Sequence, residues 1–101
     1  MKLERIPWSE TTAPAEQELR RRLTAEGFDT MAWSDPAGRT YAPHSHDHDE
    51  SLWCVAGAIT FHIDGRDLRL APGDRLMLPR GTVHGATAGR DGATYLIGER
   101  D

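Results

Sequence analysis

A chain of 101 residues makes one domain with a single hydrophobic core and leaves no room for a second, catalytic one. Sixteen acidic residues against twelve basic ones give a net charge of −4, which excludes the broad basic surface that nucleic acid or an anionic membrane would need. The one basic run, Arg20-Arg21-Arg22, lies beside Glu16 and Glu18 and reads as a solvated helix face. No apolar stretch approaches membrane-spanning length, Met1 to Arg5 lack the apolar core of a secretory signal, and the lone Cys54 has no partner for a disulfide. A cytoplasmic protein is expected, with Cys54 as a core residue.

The N-terminal part, residues 1–27, differs in pattern from residues 28–101. Thr11 or Thr12 can cap a helix with Pro14 in its first turn, Leu19 and Leu23 share a face, and Gly27 can end it. One amphipathic helix is expected over 13–26, with Glu16–Arg20 and Glu18–Arg22 pairs and an apolar stripe narrow enough to pack outside something larger.

From Phe28 onward short strands alternate with turns. Ile59, Phe61 and Ile63 alternate with Thr60, His62 and Asp64, and Asp64-Gly65 makes a tight hairpin into Leu68 and Leu70. Ala71-Pro72-Gly73-Asp74 is a second turn before Leu76-Met77-Leu78, and Asp91-Gly92 precedes a last strand with Tyr95, Leu96 and Ile97. Such spacing predicts an all-β sandwich or barrel.

The segment from Gly38 to Glu50 carries the chemistry. His44 and His46 are two apart, so on a strand both leave one face and can reach one ion. Glu50 and His48 share that parity, but a straight strand from 44 to 50 would span about 20 Å, at roughly 3.3 Å per residue, so the chain must bend after His46. A bend that lifts Asp47-His48-Asp49 out of line brings Glu50 to the histidines and turns His48 elsewhere; in the rival set His48 replaces Glu50. The remaining ligand must be His62 or His84. Alternation places His62 away from the core, whereas His84 follows the turn Pro79-Arg80-Gly81-Thr82-Val83.

Gly38, His44, His46, Glu50 and Gly57 fit the first motif of the cupins at every spacing, and Gly73, Pro79, Gly81 and His84 fit the second, with Ala88 where that motif has asparagine. The chain therefore resembles a small single-domain bacterial cupin over Gly38 to Ala88. The resemblance implies a jelly-roll β-barrel, with the helix packed outside it, and one divalent metal held by His44, His46, Glu50 and His84. The absent asparagine is not a metal ligand in the family, and the glycines and Pro79 serve turns.

Such ligands suit iron, manganese, nickel or zinc and leave coordination positions open. Parity with Glu50 turns Leu52 and Cys54 inward and Trp53 and Val55 outward. Trp33, Tyr41, Met77 and Tyr95 are candidates for the lining of a pocket, and Tyr41, Arg75 and Tyr95 are the polar groups available for catalysis. Exposed Trp53 and Val55, with Leu3, Ile6 and Trp8, would call for a homodimer. The function expected by resemblance is that of a dioxygenase or isomerase acting on a small polar molecule, the alternative being a binding or sensing module. No nucleic-acid or membrane partner is expected.

Overall fold

In the computed structural model, which describes residues 1–101, the elements run β1 (Glu4–Ile6), α1 (Glu16–Ala25), β2 (Asp29–Asp35), β3 (Thr40–His44), β4 (Asp49–Ile63), β5 (Arg66–Leu70), β6 (Arg75–Leu78) and β7 (His84–Arg100). The strands are antiparallel, ordered β1-β6-β4-β7-β2, with β5 on β4 and β3 on β7. The N-terminal half of β4 pairs with β6 and with the end of β7, while its C-terminal half pairs with β5 and the start of β7. The two long strands thus pass from one sheet to the other, and the predicted jelly-roll barrel closes around them.

Both long strands bend at glycine. The β4/β7 register slips on either side of Gly57, which has φ 70°, and Gly92, next to its partner Ala93, has φ 77°. The predicted break at Asp91-Gly92 is therefore no reversal: β7 continues through it as one strand of 17 residues. A bulged partner bending at the same level lets the pairing survive the kink. At the tip of β4, Asp64 and Gly65 have φ 51° and 73°, the left-handed pair that a two-residue hairpin needs.

Alternation sorts the apolar residues into two clusters. Leu52, Cys54, Ile59, Phe61, Leu76 and Leu78 belong to the barrel core. Trp53 and Leu96 point outward and are covered by Leu19 and Leu23 of α1 together with Phe28. Trp53 was expected to lie exposed; it is only 6% exposed because the chain's own helix lies on it, so it gives no reason for a second subunit. Ile6 alone among the other residues of that argument is exposed.

The helix starts later than predicted. Ala15 is its N-cap with no side-chain hydrogen bond, and Thr11, Thr12 and Pro14 precede it. The residue before a proline is kept out of the helical region, so Ala13 could not open a helix. Its end is as expected: Phe28 N–H donates to Leu23 O and Gly27 N–H to Thr24 O, both at 3.0 Å, with Gly27 at φ 90°. The short strand β1, which no periodicity announced, pairs with β6. Asp74 holds it there, accepting from Arg5 Nη2 and from the Trp8 N–H, each at 2.9 Å.

Two motif glycines should respond differently to alanine. A β-carbon on Gly57 would stand 2.2 Å from Gly92 O, a backbone atom, whereas one on Gly38, at φ 71°, would meet nothing. Urea unfolding should show a loss of about 1 kcal/mol for Gly38→Ala and more than about 3 kcal/mol for Gly57→Ala.

Candidate metal centre

β3 ends at His44, which pairs in register with His84, the first residue of β7, after a bulge that follows Tyr41. The chain then turns through Ser45–His48 and enters β4. Two hydrogen bonds lock this turn to the next motif: Gly81 N–H donates to His46 O and Arg80 N–H to Asp49 Oδ1, both at 2.9 Å. The predicted bend after His46 is thus tied to the Pro79–Thr82 turn that delivers His84.

The rings of His44, His46 and His84 converge, with centroid separations of 4.4, 4.9 and 5.2 Å. Their nearest ligand atoms all lie within 4.8 Å of one another. His44 Nδ1 is 2.8 Å from Ala42 O and His84 Nδ1 is 2.9 Å from Thr82 O. A carbonyl can only accept, so in both rings Nδ1 carries a proton and Nε2 is the nitrogen left for a metal. Burial holds His84 below the ordinary imidazole range, which also favours the neutral ring.

Glu50 lies beside this group and is 5% exposed. Its Oε2 is 3.7 Å from His46 Nε2 and 2.9 Å from His48 Nε2. His48 does not turn elsewhere, as the bend had suggested. Its ring stacks on His46 at 5.3 Å and its Nε2 also lies 3.5 Å from Glu99 Oε1. The bond to Glu50 raises the pKa of His48. Two overlapping triads result, His44–His46–His84 and His46–His48–Glu50, with His46 in both. Glu50 thus joins His46 and His48 and is not grouped with His44 and His84; imidazoles with Nδ1 engaged beside a steadied carboxylate are donor types whose chemistry fits a divalent ion. His62 lies on the outer face, bonded to Asp67 and Thr87.

The centre opens into a pocket of about 280 Å³ with fourteen lining residues, nine of them apolar. Trp33, Tyr41 and Tyr95 line it as predicted, with Leu52 and Phe61 deeper in. Met77 does not, because it shares the outward parity of Trp53 and packs against the outer cluster. Arg75 is also on that face: it lies 4.5 Å over the Trp53 ring, donates to Ser51 Oγ at 2.7 Å, and forks onto Glu26 at 2.7 and 3.1 Å. It clamps the end of α1 to the barrel and takes no part in the pocket.

Two acidic groups escaped the sequence. Asp35, 5% exposed, ends β2 behind the pocket wall and accepts from Tyr41 Oη at 2.6 Å, Tyr95 Oη at 2.7 Å and Trp33 Nε1 at 3.0 Å. Glu99 lines the pocket and faces Glu50 across the β4/β7 ladder. Parity could have revealed both, since Asp35 continues Met31 and Trp33, and Glu99 continues Tyr95 and Ile97. Cys54 is fully buried in the core, where desolvation pushes its thiol up to about 11.

A barrel with this pair of histidine-bearing turns is a cupin architecture. The cupin domain profile matches residues 32–97, and the chain belongs to that family. It is 36% identical over 58 residues to quercetin 2,3-dioxygenase of Bacillus subtilis (strain 168), a match that covers 56% of this chain and 17% of that protein. The chain thus spans about a sixth of the curated relative it matches. Among solved structures, DMSP lyase DddQ from Ruegeria pomeroyi DSS-3 superposes with a TM-score of 0.67 at 28% identity, over 73% of this chain and 38% of that one. KdgF from Halomonas sp. superposes at 0.62 and 24% identity over 98% and 80% of the two chains, a likeness of fold. No helix is long and apolar enough to cross a membrane.

The clamp should be separable from the centre. Arg75→Met should cost about 1–3 kcal/mol by chemical unfolding, because it leaves Ser51 and Glu26 without their donor, while metal content stays unchanged. Arg75 holds the Glu26 carboxyl below the usual carboxylate range. That stabilisation is present above the ordinary carboxylate pKa and is lost as pH falls through the lowered one. In acid titrations followed by thermal melting, Glu26→Gln should therefore lose less stability than the parent.

Proposed function

We propose that this cupin is a metal-dependent enzyme of the dioxygenase or isomerase type, acting on a small polar molecule, with His44, His46, Glu50 and His84 holding one divalent ion. The observation that carries this is the convergence of three imidazoles in the lining of an apolar pocket, with the Nδ1 protons of His44 and His84 already donated to backbone carbonyls. A bound ion would supply Lewis-acid or oxygen-activating chemistry.

The chain's own residues do the rest. His48 donates to Glu50 and fixes one of its oxygens, Leu52, Ile59 and Phe61 give the pocket an apolar interior, and Glu99 offers a carboxylate at the wall. A volume of about 280 Å³ limits the substrate to a small molecule. The name of the Bacillus relative supports oxygenase chemistry. A non-catalytic binding or sensing module is favoured by one observation: the wall tyrosines have their protons engaged by Asp35, so neither offers a free acid.

Metal analysis of protein purified without added metal, then oxygen uptake on small enols and phenols with the iron-loaded form, separates these readings. Oxygen consumption, or anaerobic isomerisation followed by NMR, supports the enzyme; tight metal with no turnover supports the module. His46→Ala should lose the ion and melt at lower temperature. His48→Ala should still bind one ion, with affinity reduced about 10- to 100-fold, as expected of a residue that only steadies a ligand. Loss of the ion in His48→Ala together with its retention in Glu50→Gln would promote the rival ligand set.

A further inference from the structure

Apart from its nine apolar residues, the pocket lining consists of His44, His46, His84, Glu50 and Glu99. It contains no lysine or arginine. Its side-chain hydrogen-bond donors outside the candidate ligands are therefore the hydroxyls of Tyr41 and Tyr95 and the indole N–H of Trp33. All three are directed at one group behind the wall, the carboxylate of Asp35, at 2.6, 2.7 and 3.0 Å. An indole N–H can only donate, and an ionised carboxylate can only accept. Tyr41 Oη also lies 3.2 Å from Trp33 Nε1, so the cluster is closed on its donor side. Burial and the bond to Asp35 raise Tyr95 far above the ordinary phenol range, so that proton stays in place.

We propose that Asp35 is a specificity-determining residue: by drawing the three wall donors away from the pocket, it leaves a surface of acceptors that selects an uncharged, hydroxyl-bearing molecule and rejects anionic groups. Tyr41 Oη, on a half-buried side chain, and Glu99, a half-exposed carboxylate, are the acceptors that a ligand hydroxyl meets. A carboxylate or phosphate at that wall would face Glu99 with no lysine or arginine in the lining to pair and no free donor, a costly position. Trp33, Phe61 and Ile97 suit a flat apolar body. The proposal rests on the metal-and-pocket reading above and adds the class of molecule that fits. Asp35 acts through Tyr41, Tyr95 and Trp33, and is a positioning residue.

The test uses the full chain loaded with Co(II), whose absorption reports a ligand reaching the ion. The probes are benzohydroxamates that share one metal-binding head and carry hydroxyl, methoxy or carboxylate at ring position 3 or 4. The hydroxyl compound should bind about tenfold more tightly than the methoxy one, the worth of one well-made hydrogen bond, and the carboxylate should bind most weakly. In Asp35→Asn the amide turns at least one donor back to the pocket, so the hydroxyl preference should shrink several-fold and the carboxylate should gain. Tyr41→Phe, which leaves Tyr95 and Trp33 on Asp35, should lose the hydroxyl preference without gaining the carboxylate. A merely structural Asp35 would lower the melting temperature and leave these ratios unmoved. Equal binding of the three probes to the parent protein, or unchanged ratios in both folded, cobalt-loaded variants, overturns the proposal. Failure of every probe to perturb the Co(II) spectrum overturns the pocket reading itself, and the proposal with it.

Discussion

Gly92 O lies 2.2 Å from where a β-carbon on Gly57 would stand, so β4 and β7 approach at their bend more closely than any other residue pair there would allow. Those strands are the only two shared by both sheets, and their common kink folds one half of each toward the other. Everything functional hangs on that approach. His84 opens β7 on one side of the kink, and Tyr95, Ile97 and Glu99 follow on the other, yet all four line one pocket. Glu50 belongs to the opening of β4, and Phe61 comes back to the same space beyond the bend.

On either side of the kink, period-two alternation then decides role. Leu76 and Leu78 fill the barrel, while Arg75 and Met77 between them face the helix side. The two leucines of α1 that are wholly buried, Leu19 and Leu23, cover Trp53 and Leu96, so that the outer face of the sheet has its own small core. Burying side chains of this size is worth roughly 1.5–3 kcal/mol each, whereas the exposed Glu–Arg pairs along α1 contribute little. The helix is held by leucine and by the Arg75–Glu26 clamp, and the barrel interior is left free to shape a site.

Much of this was legible because it is local. Same-face histidines two apart, a turn glycine, and a left-handed Asp-Gly pair are written in neighbouring residues, and the helix end at Gly27 likewise. Parity gives the face of a residue such as Asp35 or Glu99, but which residues meet depends on register between distant strands. Asp35 meets Tyr95 sixty positions away, and Glu99 becomes a neighbour of Glu50 only through the β4/β7 ladder. Three residues of β1 carry no periodicity and gain their place from Asp74. His48 was misjudged for a related reason: parity gave its face, but its bond to Glu50 follows from how sharply the turn after His46 closes.

The charges around the site belong together. Glu50 and Glu99 face each other across a ladder, with Asp35 buried behind the adjoining wall, and no lysine or arginine joins them in the pocket lining. His48 offsets only part of this, bridging toward both glutamates from outside the lining. Carboxylates so grouped with no lysine or arginine beside them are an unfavourable arrangement by themselves and a favourable one around a cation. The same absence of basic side chains that suits a dication beside the histidines leaves no lysine or arginine in the lining to hold an anion. The proposed metal affinity and the proposed exclusion of anionic ligands would thus be two consequences of one electrostatic choice, and the bend at Gly57 and Gly92 is what brings the contributing strands into a single field.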